Sequence, residues 1–249
     1  MNVSLYQAAA ALNATVKWQE MITNNMSAAM IPGYKKSEIS FSAIQSGLLT
    51  ADTNYGVLTQ GLMPQSKTIQ NLMPGQIKFT GEKTNFAIDG QGFFEVQMPQ
   101  GGFAYTRDGE FHLDSQGRLV NKNGWLVMTT NGPAQFDLKN VDAIAITPQG
   151  EISQGGDVKG KLRIVNFDNP NLLKPLNGSY FLADDPKIKS FQVANPVLKQ
   201  GCVEESNATP LLEMGNMIVA MRFYETNQRL IQMQDERIGK TINDLSGTT

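Results

Sequence analysis

Apolar residues at Leu5, Ala8, Ala9, Leu12, Val16, Ile22, Met26 and Met30 recur mostly at three- and four-residue steps, the spacing of one helix face. Ala8 to Ala11 add high helix propensity, and Pro32-Gly33 supplies a stop. This pattern predicts a helix from residue 1 to about 30. Only Lys17 and Glu20 are charged within it, so its surface suits burial better than a lone solvated existence.

The period then breaks. Between residues 34 and 75, short apolar runs alternate with Gly47, Gly56, Gly61, Pro64, Pro74 and Gly75, which reads as an extended connector with one or two strands. From 76 to about 200 the runs shorten to strand length. Turn signals punctuate them at Gly101-Gly102, Asp108-Gly109, Ser115-Gln116-Gly117, Asn123-Gly124 and Asn131-Gly132-Pro133. Strands are expected at 103–106, 110–113, 118–120, 125–129, 143–147, 161–167 and 180–182, in a hairpin-rich meander or small barrel.

The helical period returns after Thr209, a capping residue, and Pro210, which fits the first helical position. Met214, Met217, Met221, Tyr224, Gln228, Ile231, Asp235, Ile238, Ile242 and Leu245 then alternate three- and four-residue steps, a heptad seam with two polar interruptions. Glu225–Arg229 and Glu236–Lys240 are i,i+4 pairs in the favourable order. About 36 residues of helix span roughly 54 Å, more than a small β domain needs for its own packing. The expected fold class is α+β: long N- and C-terminal helices pairing as a coiled-coil-like stalk, with an all-β central domain. The expected divisions are 1–33, 34–75, 76–200 and 201–249.

Composition narrows the chemistry. Lys and Arg total 21 and Asp and Glu 23, a net charge of −2 that offers no footprint for nucleic acid or an anionic membrane. Only 18% of residues are charged, while 20 Asn and 19 Gln supply uncharged polarity. Amides cost less to bury than charges, which favours packing against other protein. One Cys (Cys202) and one His (His112) exclude an internal disulfide and a Cys/His zinc set, and no metal or cofactor is expected. The longest apolar stretches fall far short of a membrane span, so no direct membrane insertion is expected. The first basic residue is Lys17, and no charged n-region precedes an apolar run, so no cleavable secretory signal is expected.

The chemical motifs read more simply as structure. Gly90-Gln91-Gly92 lacks the third glycine of a dinucleotide fingerprint, because position 95 is Glu and the residues beyond it are strand-like. Asp108 with Glu110 or Asp114 could be a carboxylate pair for glycoside hydrolysis, but all sit at turn signals. Cys202 near a helix start could be an activated thiol, against the commoner buried structural cysteine. The methionines of the C-terminal seam suit either a peptide groove or packing, and the continuous phase favours packing.

Four stretches together resemble the bacterial flagellar rod and hook family of axial proteins. The first runs from Asn24-Asn25 to Pro32-Gly33-Tyr34-Lys35, with Ala28 and Ile31 where the family usually has Asn and Thr. The second is Asn85-Phe86-Ala87-Ile88-Asp89-Gly90-Gln91-Gly92-Phe93-Phe94. The third is Tyr105-Thr106-Arg107-Asp108-Gly109-Glu110-Phe111, followed by Asp114, Gly117, Leu119 and Val120. The fourth is Gly201-Cys202-Val203-Glu204-Glu205-Ser206-Asn207, followed by Glu213, Met217-Ile218, Arg222, Tyr224-Glu225, Asn227 and Asp235-Glu236, with Cys202 where an aromatic is common.

The resemblance implies a structural subunit of the basal-body rod, not an enzyme. Length suits the proximal or distal rod class and inclines to the proximal. Terminal helices of many copies would build a hollow axial core that transmits torque, with the β domains outside it. Subunit-interface candidates are Leu5, Leu12, Val16, Ile22 and Met26 on the first helix, and Met214, Met217, Met221, Tyr224, Ile231, Ile238, Ile242 and Leu245 on the last. Implied partners are copies of the chain, other rod and hook axial proteins and the flagellar export apparatus, with localisation to the basal body in the periplasmic space. The alternative is a carbohydrate-binding or enzymatic β module with helical oligomerisation arms, for which the sequence offers no convergent catalytic set.

One local expectation concerns Tyr105, Thr106, Arg107, Asp108 and Gly109. Asp108-Gly109 suits a two-residue type I′ hairpin turn with positive φ at both positions. Arg107, beside that turn, is then either solvated or reaches a carboxylate on its own domain or on the next subunit.

Overall fold

The structure, a computed structural model, describes residues 3–45, 62–138 and 144–246. The chain opens with helix α1 (Val3–Ser27) and closes with helix α2 (Pro210–Ser246), 37 residues long. Between them lies a succession of short strands, so the α+β architecture holds, with one helix at each end of a central β-rich region. Among the described residues no helix is long and apolar enough to cross a membrane.

The chain forms two compact units. One gathers Met1–Met26, Ser37–Ile69 and Pro210–Thr249; the other gathers Ser27–Lys36 and Gln70–Thr209. The first therefore contains α1 up to Met26, α2, and a two-stranded sheet of Ser37–Gln45 with Leu62–Gln70. The second, the β unit, is wider than the 76–200 expected. It takes in 27–36 on one side, and 201–209 on the other, where Cys202–Glu204 is a strand paired with Ile77–Phe79.

The β unit is organised by the Phe93–Gln97 strand. It pairs antiparallel with Phe103–Thr106 on one side, and with Leu126–Thr129 and Ile164–Phe167 on the other. Successive side chains of a strand point to opposite faces, and here each face has its own core. Phe94 and Val96 enter a cluster with Phe86, Phe111, Leu119 and Ile164. Phe93 enters a second with Tyr105, Val165, Phe167, Leu173 and Phe181. Edge-on ring pairs join Phe94 to Phe111 at 5.2 Å and Tyr105 to Phe167 at 4.8 Å between centroids. A three-stranded sheet of Ile144–Ile146, Glu151–Gln154 and Asp157–Lys161 adds Ile152 to the first core.

The turn signals at Gly101-Gly102, Ser115-Gln116-Gly117, Asn123-Gly124 and Asn131-Gly132 each join neighbouring antiparallel strands. Asp108-Gly109 does not, which corrects the hairpin reading of Tyr105–Gly109. Phe103–Thr106 pairs with Phe93–Gln97 and with Tyr180–Leu182, whereas Phe111–Leu113 pairs with Leu119–Asn121. The Arg107–Glu110 segment is thus a crossing between non-paired strands, and no residue other than glycine takes positive φ among the described residues.

Candidate functional site

In the unit that holds both helices, Trp18 of α1 packs on Phe223 of α2 with ring centroids 6.1 Å apart. One helical turn away, Asn227 Nδ2 donates to Thr15 Oγ1 at 3.2 Å. The two contacts progress in opposite chain directions, so the helices run antiparallel there. Ile22 is buried, and Leu12, Val16 and Met26 are half-buried.

On α2 the protected positions are Glu213, Asn216, Met217, Ala220, Tyr224, Asn227, Ile231, Gln234 and Gly239. From Glu213 to Gln234, Asn216 aside, this is a four-three alternation. It shares Met217, Tyr224 and Ile231 with the expected seam, and replaces Met214, Met221, Gln228 and Asp235 by their N-terminal neighbours. Met214 and Met221 are about half exposed, as is Ile242, with Ile238 at 37%. The side chains of Leu5 and Leu245 lie outside those described. Leu211, Met214, Ile218 and Met221 form an outer apolar stripe, exposed by 81, 53, 56 and 52% respectively. Glu213 and Ala220, both buried, and the half-buried Asn227 lie off the expected seam because none is a large apolar residue.

In the β unit, Arg107 is neither solvated nor free to reach another subunit. Its Nη1 donates to Glu204 Oε2 at 3.1 Å and to the Ile88 carbonyl at 3.4 Å, and its Nη2 donates to the Gly90 carbonyl at 2.7 Å. The guanidinium lies 5.3 Å from the Phe93 ring centroid. The other carboxylate oxygen of Glu204 accepts from Lys35 Nζ and from the Gly75 amide. Lys35 Nζ also donates to the Met73 carbonyl at 2.8 Å. Both Lys35 and Glu204 are almost wholly buried. Burial pulls the Lys35 ammonium below its ordinary range, the nearby Glu204 opposes that pull, and Arg107 adds to it.

The surrounding backbone is closely interlocked. A Cβ on Gly33, whose φ is +67°, would fall 2.1 Å from the Asp108 nitrogen. Gly33 also donates its amide to the Glu204 carbonyl at 2.7 Å. Asn207 accepts from the Lys36 amide and donates to the Asn71 and Met73 carbonyls. Phe86 donates to the Gly109 carbonyl at 3.0 Å. All four stretches picked out in the sequence therefore meet at one buried charge cluster. Their separate spacings do not reveal this, because the partners lie as far as 171 residues apart.

Asp108 is buried beside this crossing. Its Oδ1 accepts from the Glu110 amide at 3.0 Å, and its own amide donates to Thr106 Oγ1. Desolvation pushes its carboxyl up from 3.8 to about 6, with smaller opposing contributions from the Glu110 amide and Lys122. Burial and the Asp108 charge also raise Tyr180, whose hydroxyl accepts from Asn121 Nδ2. Asp114, the other candidate carboxylate, is engaged by Arg118 in an ion pair at 2.7 Å.

Comparison with known proteins agrees with this geometry. Residues 87–154 match the family model described as flagellar hook protein FlgE/F/G D1 domain, and residues 199–245 match flagellar basal body rod FlgEFG protein C-terminal. A flagellar basal-body rod protein FlgG of Buchnera aphidicola subsp. Acyrthosiphon pisum is 31% identical, covering 95% of this chain and 97% of its own. FlgG of Bacillus subtilis is 28% identical over 96 and 98%. A flagellar basal-body rod protein FlgF of Mesorhizobium japonicum is 28% identical over 98% of both chains. Near-equal similarity to FlgG and FlgF leaves the inclination to one rod class, drawn from length, without support from these relatives.

Proposed function

The chain belongs to the flagellar rod and hook family, and on that premise we propose that it is a structural subunit of the basal-body rod, built into a hollow axial tube through its terminal helices. The observation that carries this reading is the outer stripe of α2. Four large apolar side chains at helical spacing stand exposed on a helix whose opposite face is already covered. Burying a large apolar side chain gains on the order of 1.5–3 kcal/mol, so a second protein surface that covers this stripe binds with a substantial driving force.

In this reading α1 and α2 pair as a stalk, supported by the Trp18–Phe223 and Thr15–Asn227 contacts. The outer stripes of neighbouring copies and of other rod and hook proteins pack against one another around a channel. Torque passes through the subunit contacts. The assembled site is the basal body within the periplasmic space, reached through the flagellar export apparatus. The family match lends no support to a carbohydrate-binding or enzymatic module.

The test is a triple substitution, Met214→Lys, Ile218→Lys and Met221→Lys. These side chains are exposed in the single chain, so the variant keeps the helix content and thermal midpoint of the parent. It is expected to be missing from purified basal bodies, and cells carrying it are expected not to swim. Normal incorporation removes the assembly role of the stripe.

A further inference from the structure

We propose that Glu204 acts as a closure latch, its carboxylate being the condition on which segments 31–36 and 71–76 dock onto the β unit. The argument starts from charge. Lys35 and Arg107 are two buried cationic side chains, and among the described residues Glu204 is the one carboxylate that pairs with either. Their remaining partners are neutral carbonyls, of Met73 for Lys35 and of Ile88 and Gly90 for Arg107. A buried cation with no counter-charge is strongly disfavoured, far more so than a paired one. Before Glu204 arrives, closing the cluster would bring two such cations together.

Chain order sharpens the point. Lys35 precedes Glu204 by 169 residues and Arg107 precedes it by 97. The strand that carries Glu204 also supplies the backbone seats for both docking segments. Its carbonyl receives the Gly33 amide, and the neighbouring Glu205 amide donates to Gln76. The Glu204 side chain receives the Gly75 amide at 2.9 Å. One late segment thus delivers both the counter-charge and the seats, while the core on the Phe94 and Val96 face of the sheet contains no residue of either docking segment; Leu72 of 71–76 packs only on the opposite, Phe93 face. The β unit therefore closes in two stages, sheet first and latch second.

Pulsed hydrogen exchange during refolding of the full-length chain from urea tests this, read by mass spectrometry of peptides. Amides in 93–129 are expected to gain protection first, and those in 31–36 and 71–76 together with or after 201–207. In Glu204→Gln, protection of 31–36 and 71–76 is expected to fall at least tenfold while 93–129 keeps its protection. Adding Lys35→Met and Arg107→Met to Glu204→Gln is expected to recover part of that loss, because no cation is then left unpaired. Early protection of 31–36 in the parent chain overturns the proposal. So does unchanged protection in Glu204→Gln, an equal loss across 93–129, or no recovery in the triple variant.

Discussion

Arg107 and Glu204 meet at 3.1 Å across 97 residues of chain, and both side chains are almost wholly shielded from solvent. A guanidinium is suited to this place because its planar fork reaches Glu204, Ile88 and Gly90 at once. Removing it takes a donor from the buried Ile88 carbonyl and from the Gly90 carbonyl, and leaves Glu204 with Lys35 as its sole cation. Arg107→Ala is therefore expected to destabilise the β unit by about 3–5 kcal/mol, as for other broken buried pairs. Arg107→Lys is expected to restore only a minor part, since one ammonium cannot replace the fork. Urea midpoints of the three proteins check both statements, and a midpoint shared by Arg107→Ala and the parent would contradict them.

Gly109 is fixed by a neighbour, not by its backbone angle. A Cβ there would fall 1.6 Å from the Phe86 carbonyl oxygen, which belongs to a buried strand held by its own pairing. Gly109→Ala is expected to cost about 1–3 kcal/mol, the range for overpacking a filled core. Gly124 makes a useful contrast. Its φ is +76° but nothing lies within 4 Å of the added Cβ. Gly124→Ala then carries only backbone strain, about 1–2 kcal/mol. Urea midpoints of the two variants check these statements, and a midpoint for Gly109→Ala equal to the parent's would contradict the contact with the Phe86 carbonyl.

These positions show what the sequence made legible. The Tyr180–Leu182 strand and the 210–246 helix lie where the residue pattern puts them, because each depends on local period and caps. Four turn signals joined adjacent strands for the same reason. Asp108-Gly109 misled because turn chemistry cannot distinguish a hairpin from a crossing whose glycine makes room for a distant carbonyl. The seam on α2 slipped by one residue at alternate positions because apolar side chains surround the helix, leaving two stripes of similar strength. Periodicity cannot say which stripe meets α1. Glu213, Ala220 and Asn227 on the covered face carry no hydrophobic signal, and the Lys35–Glu204 pair is visible only once the chain is folded.

Asp108 gives the β unit a pH dependence of definite sign. Its carboxyl is raised from 3.8 to about 6 in the folded chain, chiefly by desolvation. The folded state then holds more protons than the unfolded state between those values, so this group's contribution to stability falls as pH rises through that window. At about 1.4 kcal/mol per pH unit the effect is at most roughly 3 kcal/mol. Glu95, raised by its own burial, acts in the same direction. The Asp108 share is isolated by comparison with Asp108→Asn, which still offers an oxygen to the Glu110 amide. The variant is expected to be more stable than the parent at pH 7.5 and to lose that advantage near pH 4. Parallel stability curves from pH 4 to 7.5 would refute the assignment.

The final prediction separates the helix from the segment after it. Residues up to Met26 belong with the terminal helices, whereas 27–36 belong with the β unit. Ala28 and Tyr34 pack with Ala208, Gly33 bonds to Glu204, and Lys35 fills the charge cluster. Deleting residues 1–26 is therefore expected to leave the β unit folded, with amides in 93–129 protected as in the parent. Extending the deletion to residue 36 removes Lys35 and the Gly33 contact together, and leaves the Glu204 side chain with Arg107 as its only cation. That longer deletion is expected to cost segments 71–76 and 201–207 about 3–5 kcal/mol of protection, the scale of a disrupted buried ion pair, while 93–129 stays protected. Hydrogen exchange of both truncations, read at 71–76, 201–207 and 93–129, checks this. Equal protection of 71–76 in the two would mean that 27–36 does not belong to the β unit's fold, and loss across 93–129 already on deletion to residue 26 would mean that α1 does.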